Sequence, residues 1–233
     1  MKTRFGDLRD QVLAANRSLS ERGLAPFTFG NASGIDRAAG AVAIKPSGVK
    51  YHAITAEDLV VVDLDGGVIE GVRRPSSDMH THLVLYRAFA AIGGVAHAHC
   101  HFATVFAQAG REIPCLGTTH ADHFLGSVPV ARMLRESEVA GEYEANTGHA
   151  IVQRFGGMDP LATPAVLLPG HAPFTWGATP EGAVDTMALL EKVARLAFDT
   201  LLLNAAAEML PDHVRSKHFS RKHGPGAYYG QPK

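Results

Sequence analysis

The opening residues of the chain place apolar side chains at helical spacing among charged ones. Leu8, Val12 and Leu19 fall near one face of such a helix, and Gly23 follows as a stop signal. Segment 5–22 is therefore predicted to form an amphipathic helix.

Three short runs with strand character come next. They read FTFGNASGI, AVAIKPSG and LVVVDLDGGVIEG, and the turn sequences DRAAG and DLDGG lie between or within them. Turns this short join antiparallel neighbours. The sheet is therefore predicted to begin with hairpins rather than with β-α-β crossovers.

The middle of the chain alternates between helical and strand patterns. A helix is predicted within residues 75–94, because this segment opens on Ser and Asp cap candidates and ends on two glycines. The alternating run 95–100 predicts a strand, and a second helix is expected over residues 102–110.

The last third of the chain is less regular at first. After a loop-rich centre, residues 165–177 predict two short strands around a Pro-Gly turn, and Thr179-Pro180 opens a long helix that runs to about residue 204. No repeat or linker interrupts the sequence. We therefore predict one domain over residues 1–233, of the α/β class, with a mixed, largely antiparallel sheet.

Composition narrows the classes of partner. The net charge is -1 and the basic residues are scattered, which argues against nucleic acid or an anionic membrane as a partner. No apolar run approaches the ~20 residues that span a bilayer, and the charged N-terminus does not resemble a signal peptide. Because Cys100 and Cys115 are too few for a disulfide framework, we expect a reduced, cytoplasmic protein.

Histidine is unusually frequent, with 13 copies, and three of them occupy every second position of one segment. On a strand, positions i and i+2 share a face, so His97 and His99 project together. His101 is expected to turn away, because the pattern becomes helical after it. The H-x-H pair could hold a metal ion or could be hydrogen-bonded in the core, since the pattern is weak by itself. His80 and His82 share the spacing within a predicted helix, and we interpret them as structural or surface residues.

Two further residues favour the metal interpretation. Asp78 follows two serines at a helix start, and His171 lies in PGHAPF between two short strands. Each could also be ordinary, as an N-cap and a loop residue. Three imidazoles and one carboxylate suit a divalent transition metal, zinc first. The sequence has no HExxH, P-loop, GxGxxG or GxSxG motif, so the common nucleotide and serine-hydrolase chemistries are unsupported.

Eight segments, in chain order, resemble the class II aldolase/epimerase superfamily, and most closely its pentulose-phosphate 4-epimerases. They are GNASGID, IKPSGVKY, RRPSSD, GGVAHAHC, AQAGREIPCLGTTHAD, GEYE, GHAPFTWG and KHGPGAYYGQ. The resemblance covers nearly the whole chain. The departures from the commonest family pattern are small: His80, His123, and Gly170 and Ala172 on either side of His171.

The resemblance implies a three-layer α/β/α fold and a homotetramer with active sites between subunits. The C-terminal tail, from about residue 211 to residue 233, would then reach a neighbouring subunit. The resemblance also implies one Zn²⁺ per subunit, with another divalent metal as the alternative. It leaves His101 outside the metal site. The implied metal ligands are Asp78, His97, His99 and His171.

The implied substrate is a small sugar phosphate, and the implied reaction converts L-ribulose 5-phosphate to D-xylulose 5-phosphate at C4 by a retro-aldol/aldol route. A divalent metal can stabilise the charge that develops when the C3–C4 bond breaks. Locally, PSG is also an ordinary turn and SSD an ordinary helix cap. The residues expected to bind the substrate and its phosphate are Asn31, Lys45, Ser47, Gly48, Ser76 and Ser77.

Inversion at C4 requires acid/base groups on both sides of the aldehyde. By resemblance these are Asp122 and Tyr229, the latter from a neighbouring subunit, with His218 and Glu144 in support. Locally, Asp122 could be a loop acid and Tyr229 a packing aromatic near the chain end.

Two other functions compete with the epimerase prediction. A class II sugar-phosphate aldolase would share the fold, the metal and the retro-aldol step, but related aldolases carry the longer Glu where this chain has Asp78. A non-catalytic binding module, as in the aldolase-like head of adducins, should have lost the ligand histidines, and this chain keeps them.

Overall fold

The computed structural model describes residues 4–231 of the protein, so the outermost ends of the predicted domain and tail, residues 1–3 and 232–233, lie outside the described residues. A seven-stranded sheet lies at its centre. The strands are β1 (Asn31–Asp36), β2 (Ala41–Ile44), β3 (Val60–Asp63), β4 (Val68–Glu70), β5 (Gly94–His97), β6 (Ala165–Leu167) and β7 (Pro173–Gly177).

The strands lie in the order β4-β3-β2-β1-β5-β7-β6, and every neighbouring pair in this order is antiparallel. The first four strands form an antiparallel meander. Short turns join β1 to β2 and β3 to β4, as predicted, whereas residues 45–59 connect β2 to β3. An isolated parallel bridge joins Val130 to Leu167 at the β6 edge. The prediction of a largely antiparallel sheet that begins with hairpins is confirmed.

Eight helices accompany the sheet within the described residues. They are α1 (Gly6–Glu21), α2 (Met79–Ala88), α3 (His101–Gln108), α4 (Thr118–Ala121), α5 (Glu136–Ala140), α6 (Tyr143–Arg154), α7 (Pro180–Leu203) and α8 (Asp212–Ser220).

Three predicted helices agree closely with α1, α3 and α7, and Thr179 caps α7 by accepting a hydrogen bond from the Gly182 N–H. The helix predicted within residues 75–94 is shorter and begins at Met79. Before it, Pro75 pairs with Pro46 in an isolated antiparallel bridge, and Ser77 and Asp78 form a turn.

The largest error of the sequence prediction is α6, which lies in the segment taken as loop-rich. Its buried face consists mainly of small or polar residues, so it carries few of the large apolar side chains that mark a helix in a sequence. One of them is Gly148, where a Cβ atom would lie 2.7 Å from the Cβ of Val84. The glycine therefore permits a close approach of α6 to α2 that hydropathy does not reveal.

Alternate residues of the strands face two different helical layers. Small side chains such as Ala43 and Ala96 share one buried cluster with residues of α1, α3 and α7. Larger ones such as Ile44, Val95 and Trp176 share another with residues of α2 and α6. The sheet is thus covered on both faces, which gives the expected three-layer α/β/α arrangement.

The polar residues of interest gather at one end of the central strands. Asn31, the first residue of β1, is the register partner of His97, the last residue of β5. His97 in turn pairs with Phe174, near the start of β7. Because these positions lie side by side, the residues that precede or follow them converge at the same end of the sheet.

The C-terminal segment folds against its own chain. Helix α8 contacts α4, which carries the THAD segment, and the two tyrosines beyond it, Tyr228 and Tyr229, are 63% exposed. Within residues 4–231 no helix has both the length and the apolar character needed to cross a bilayer.

Candidate active site

A cleft of about 430 Å³ opens at this end of the sheet. The volume suits a small-molecule ligand. The cleft is bordered by every residue that the sequence suggests for metal or phosphate binding, and also by Glu144. These residues are Asn31, Lys45, Ser47, Gly48, Ser76, Ser77, Asp78, His97, His99, Glu144 and His171.

Three imidazoles form the most compact group of potential metal ligands in the cleft. One nitrogen from each of His97, His99 and His171 lies within 4.8 Å of the others. Burial lowers the pKa of all three imidazoles, so they are neutral at pH 7 and each offers a lone pair. The donor set and its protonation state therefore fit a divalent transition metal.

The backbone and ring contacts of His97 determine which nitrogen faces the cleft. Its Nδ1–H donates to the carbonyl oxygen of Pro173 at 2.9 Å, because a carbonyl can only accept. The ring also stacks on Phe174, with 4.3 Å between centroids. This leaves the Nε2 lone pair free, and a backbone partner of this kind commonly orients a metal-binding imidazole.

A glycine makes room for the backbone of His97. Gly30 has φ +102, and a Cβ atom there would lie 2.4 Å from the carbonyl oxygen of His97. Only a residue without a side chain fits this position without strain. The glycine thus allows β1 to begin directly beside the first imidazole.

His99 joins the group although the strand ends before it. Helix α3 begins at His101, whose exposed side chain packs on Phe102 and lies outside the group of imidazoles. The first turn of α3 is held by Glu191 of α7, whose carboxylate accepts from two backbone N–H groups, those of Phe102 at 2.9 Å and Ala103 at 3.0 Å. Glu191, which the sequence did not reveal, thereby fixes the path of the chain just after His99.

Asp78 borders the same cleft but is not part of the compact group of imidazoles. It occupies the N-cap position of α2 without capping it through its side chain. Its carboxylate instead accepts from Asn31 Nδ2 at 2.6 Å. Burial alone would raise the pKa of Asp78, but His97, His82 and the Asn31 amide outweigh it and lower the pKa. The group is an anion at neutral pH.

His82 is buried and has a structural environment. Its Nδ1 lies 2.6 Å from the Ser33 hydroxyl, which is also 2.8 Å from the Tyr86 hydroxyl. Burial lowers the pKa of His82 to about 3, so the imidazole is neutral. Of the two interpretations offered by the sequence, structural and surface, the structural one describes this residue.

The suggested phosphate-binding residues come from two paired segments. The Ser76 N–H donates to the carbonyl oxygen of Lys45, and the Ser47 N–H donates to that of Arg74, both at 2.9 Å. Lys45 is almost completely buried, and burial lowers its pKa. The pairing brings hydroxyl and ammonium groups to one wall of the cleft, next to Asp78.

Tyr143 also borders the cleft and was missed in the sequence. Burial, followed by the charges of Glu144 and Asp78, raises its pKa. Its position within the GEYE segment, directly before Glu144, is the signal that could have identified it.

Asp122, His218 and Tyr229 do not border the cleft of their own chain. Asp122 is held by α8 and by the residue that follows it. Its Oδ1 is 2.8 Å from Arg221 Nε and 3.0 Å from His218 Nδ1, and its Oδ2 is 2.5 Å from Arg221 Nη2. Burial would raise the pKa of Asp122, but the hydrogen bonds from Arg221 and His218 and the charge of Lys222 lower it to about 2.

The exposed ring of Tyr229 completes this group. The Arg221 guanidinium carbon lies 5.1 Å from the ring centroid, and Lys222 Nζ lies 4.4 Å from it. We call these five residues the tail cluster: Asp122, His218, Arg221, Lys222 and Tyr229. Arg221 was not recognised in the sequence, where it is one of several basic residues in a polar segment.

A family model for the class II aldolase and adducin N-terminal domain matches residues 10–198. The chain belongs to this family. Among curated proteins, it is 51% identical over 224 residues to L-ribulose-5-phosphate 4-epimerase UlaF of Salmonella paratyphi B, a match that covers 96% of this chain and 98% of the relative. The protein of the same name from Salmonella typhi is 50% identical, with the same coverage.

Solved structures with the same fold include aldolases. An L-fuculose 1-phosphate aldolase matches with a TM-score of 0.77 and 27% identity, over 91% of this chain and 94% of that one. The L-fuculose-1-phosphate aldolase of Thermus thermophilus matches with a TM-score of 0.66 and 25% identity, over 87% and 98%. These matches confirm the class II aldolase fold.

The geometry predicts that His97 and His101 differ in their importance for metal binding. The wild-type protein should hold roughly one divalent ion per chain, because the imidazole group forms one site. His97→Asn should lose most of this metal, whereas His101→Asn, a matched change four residues away, should retain it. Elemental analysis after dialysis against a metal-free buffer provides the measurement. Metal loss from His101→Asn with retention by His97→Asn would contradict the assignment.

Proposed function

We propose that the protein is a metal-dependent isomerase that converts L-ribulose 5-phosphate to D-xylulose 5-phosphate at C4. The main support for this proposal is the composition of one cleft of about 430 Å³. It is bordered by neutral imidazoles and also by hydroxyl and ammonium groups. A ketopentose phosphate needs both kinds of group, one at its carbonyl end and one at its phosphate. The strong similarity to curated 4-epimerases supports this choice of substrate.

The proposed metal is Zn²⁺, one per subunit, held by the His97, His99 and His171 imidazoles and the Asp78 carboxylate. Nitrogen and carboxylate ligands suit zinc, although another divalent ion could take the same donors. When bound, such an ion supplies Lewis-acid stabilisation of the negative charge that develops at the substrate carbonyl oxygen. Asn31 holds the Asp78 carboxylate toward the cleft.

The phosphate is proposed to lie against the paired segments that carry Lys45, Ser47 with Gly48, and Ser76 with Ser77. Hydroxyls, backbone N–H groups and an ammonium ion are suitable partners for a dianion. Asn31 Nδ2 lies 3.0 Å from Ser76 Oγ, so it connects the phosphate side with the metal side. The substrate would thus extend between the two ends of the cleft.

The chemistry requires proton transfer on two sides. C4 is not adjacent to the C2 carbonyl, so simple enolisation cannot invert it, whereas breaking and re-forming the C3–C4 bond can. We propose that Asp122 and Tyr229 exchange the proton of the C4 oxygen, one on each side of the aldehyde. His218 supports Asp122 through the contact at 3.0 Å, and Glu144 supports the substrate from the wall of the cleft.

The active site is proposed to form between subunits of a homotetramer, with the tail from about residue 211 to 233 reaching a neighbour's cleft. The tail cluster lies away from the cleft of its own chain, and Tyr229 is exposed. Both observations are what a group that serves another subunit would require. Neither nucleic acid nor a membrane is a proposed partner, and the proposed location is the cytoplasm.

A sugar-phosphate aldolase is the second candidate, favoured by the structural similarity to L-fuculose 1-phosphate aldolase. The acidic residue at position 78 distinguishes the two functions. Asp78 is one methylene shorter than the Glu of related aldolases and is engaged by Asn31, which suits a ligand better than a mobile proton carrier. A non-catalytic binding module is disfavoured because the imidazole group is intact.

The products formed from L-ribulose 5-phosphate distinguish the epimerase from the aldolase. We expect the metal-loaded protein to form D-xylulose 5-phosphate, identified by chromatography and NMR against standards. Accumulation of glycolaldehyde phosphate and dihydroxyacetone instead would identify an aldolase. The absence of any conversion by protein that contains its metal would support the binding module.

Removal of one hydroxyl should reveal the phosphate end of the cleft. Ser76→Ala is expected to reduce kcat/KM for L-ribulose 5-phosphate by roughly 10- to 100-fold, the loss typical of a hydrogen bond to a charged group. Unphosphorylated L-ribulose should be affected much less, and Ser137→Ala on exposed α5 provides the control. An equal loss of kcat/KM on both substrates would show that Ser76 does not bind the phosphate.

Mixed oligomers test whether Tyr229 acts on a neighbouring subunit. His97→Asn should be inactive because it lacks metal, and Tyr229→Phe should be severely impaired because it lacks a proton donor. Reassembly of the two variants together should generate sites with an intact metal from one chain and Tyr229 from another. Activity should then exceed the sum of the separate variants. If mixed oligomers form and activity never exceeds that sum, Tyr229 does not act in trans.

A further inference from the structure

Arg221 contacts both proposed proton-transfer groups of the tail cluster. Its guanidinium makes a two-point contact with the Asp122 carboxylate, from Nε at 2.8 Å and from Nη2 at 2.5 Å. The same guanidinium lies over the Tyr229 ring, 5.1 Å from its centroid. One planar cation therefore bridges an acid and a phenol that are far apart in the chain.

The backbone of Arg221 reinforces this arrangement. Its carbonyl oxygen accepts hydrogen bonds from the N–H groups of both Tyr228 and Tyr229, each at 2.9 Å. Arg221 is also the C-cap of α8, so the chain reverses around it and returns the tyrosines toward Asp122. The residue thus orders the exposed end of the chain through its main chain and its side chain together.

Lys222 is a natural comparison because it is adjacent and carries the same charge. Its Nζ lies 3.6 Å from Asp122 Oδ2 and 4.4 Å from the Tyr229 ring centroid. An ammonium group is a point charge, however, and cannot span both oxygens of a carboxylate as a guanidinium does. Lys222 adds positive charge to the group, whereas Arg221 also fixes its geometry.

We infer that Arg221 is a positioning residue that joins Asp122 and Tyr229 into one rigid proton-transfer unit. The inference rests on the proposed function, which places these two groups at the C4 oxygen. Arg221 itself would touch neither substrate nor metal. Its loss should therefore reduce kcat and leave KM nearly unchanged, because the substrate would still bind while the proton-transfer groups are misplaced.

The test uses the full-length, metal-loaded oligomer. Arg221→Met, which keeps side-chain length but removes the guanidinium, is expected to lower kcat roughly 100-fold, the order of loss that a misplacement of about 1 Å produces. Arg221→Lys should fall between this variant and the wild type. The matched control is Arg22→Met, which removes a distant arginine with two carboxylate contacts, to Glu181 at 2.7 Å and to Asp185 at 2.6 Å.

Two further measurements separate positioning from simple stabilisation. In an Asp122→Asn background, the additional loss from Arg221→Met should be much smaller than in the wild type, because one of the two groups that Arg221 positions is already disabled. Methylguanidinium added to Arg221→Ala should restore part of kcat by occupying the vacated position. Metal content and oligomeric state are measured for every variant, and if Arg221→Met fails to assemble, Arg221→Lys is judged by the same criteria.

Three outcomes would overturn the inference. An increase in KM at unchanged kcat would mean that Arg221 binds substrate. A full additional loss in the Asp122→Asn background would mean that it acts independently of Asp122. If Arg221→Met has wild-type kinetics while Asp122→Asn is impaired, the positioning role of Arg221 is rejected and the proposed function stays intact. Failure of the wild-type protein to form D-xylulose 5-phosphate would instead overturn the proposed function itself.

Discussion

The register between three antiparallel strands is the constraint on which the candidate site depends. It places Asn31 opposite His97 and His97 opposite Phe174, so three chain segments meet at one end of the sheet. A shift by one residue would turn every side chain of the moved strand to the other face. The His97 imidazole would then point into a helical layer. The geometry of the cleft is thus a consequence of backbone hydrogen bonding more than of the ligand side chains.

The cleft contains both neutral and charged groups, and its structure determines which are which. Burial keeps the imidazoles neutral, and the hydrogen bond from the Asn31 amide favours the ionised form of Asp78. A buried lysine stands close to this anion and lends it a compensating charge. The tail cluster follows a different principle, because several cations surround one carboxylate and hold its pKa at about 2. The two groups therefore differ in their electrostatics, with neutral imidazoles beside an anion in the cleft and a carboxylate surrounded by cations in the tail cluster.

The sequence predicted those features that depend on local periodicity. Helix α1 has apolar residues at helical spacing and a stop at Gly23, and α7 has a clear start at Thr179. His97 and His99 were predicted to project together, and both belong to the imidazole group although β5 ends at His97. Features that depend on tertiary contacts could not be predicted from the sequence. Helix α6 packs closely on α2 through Gly148, and the need for a glycine there becomes apparent only from its contact with Val84. Arg221 and Glu191 are ordinary charged residues by sequence, and only folding brings each of them to a distant partner.

The two faces of the sheet differ in the size of their side chains, and this difference bears on how the protein can change over evolutionary time. Alanines line the face toward α1, α3 and α7, and there Thr175 Oγ1 donates to the main-chain carbonyl of Ala183 in α7 at 2.8 Å. Such a closely spaced layer accepts almost no larger residue, whereas branched and aromatic side chains on the opposite face can be exchanged for others of similar volume. Sequence drift should therefore concentrate on the α2 and α6 side. The layer that carries Glu191, and with it the chain path after His99, should be the slower one to diverge.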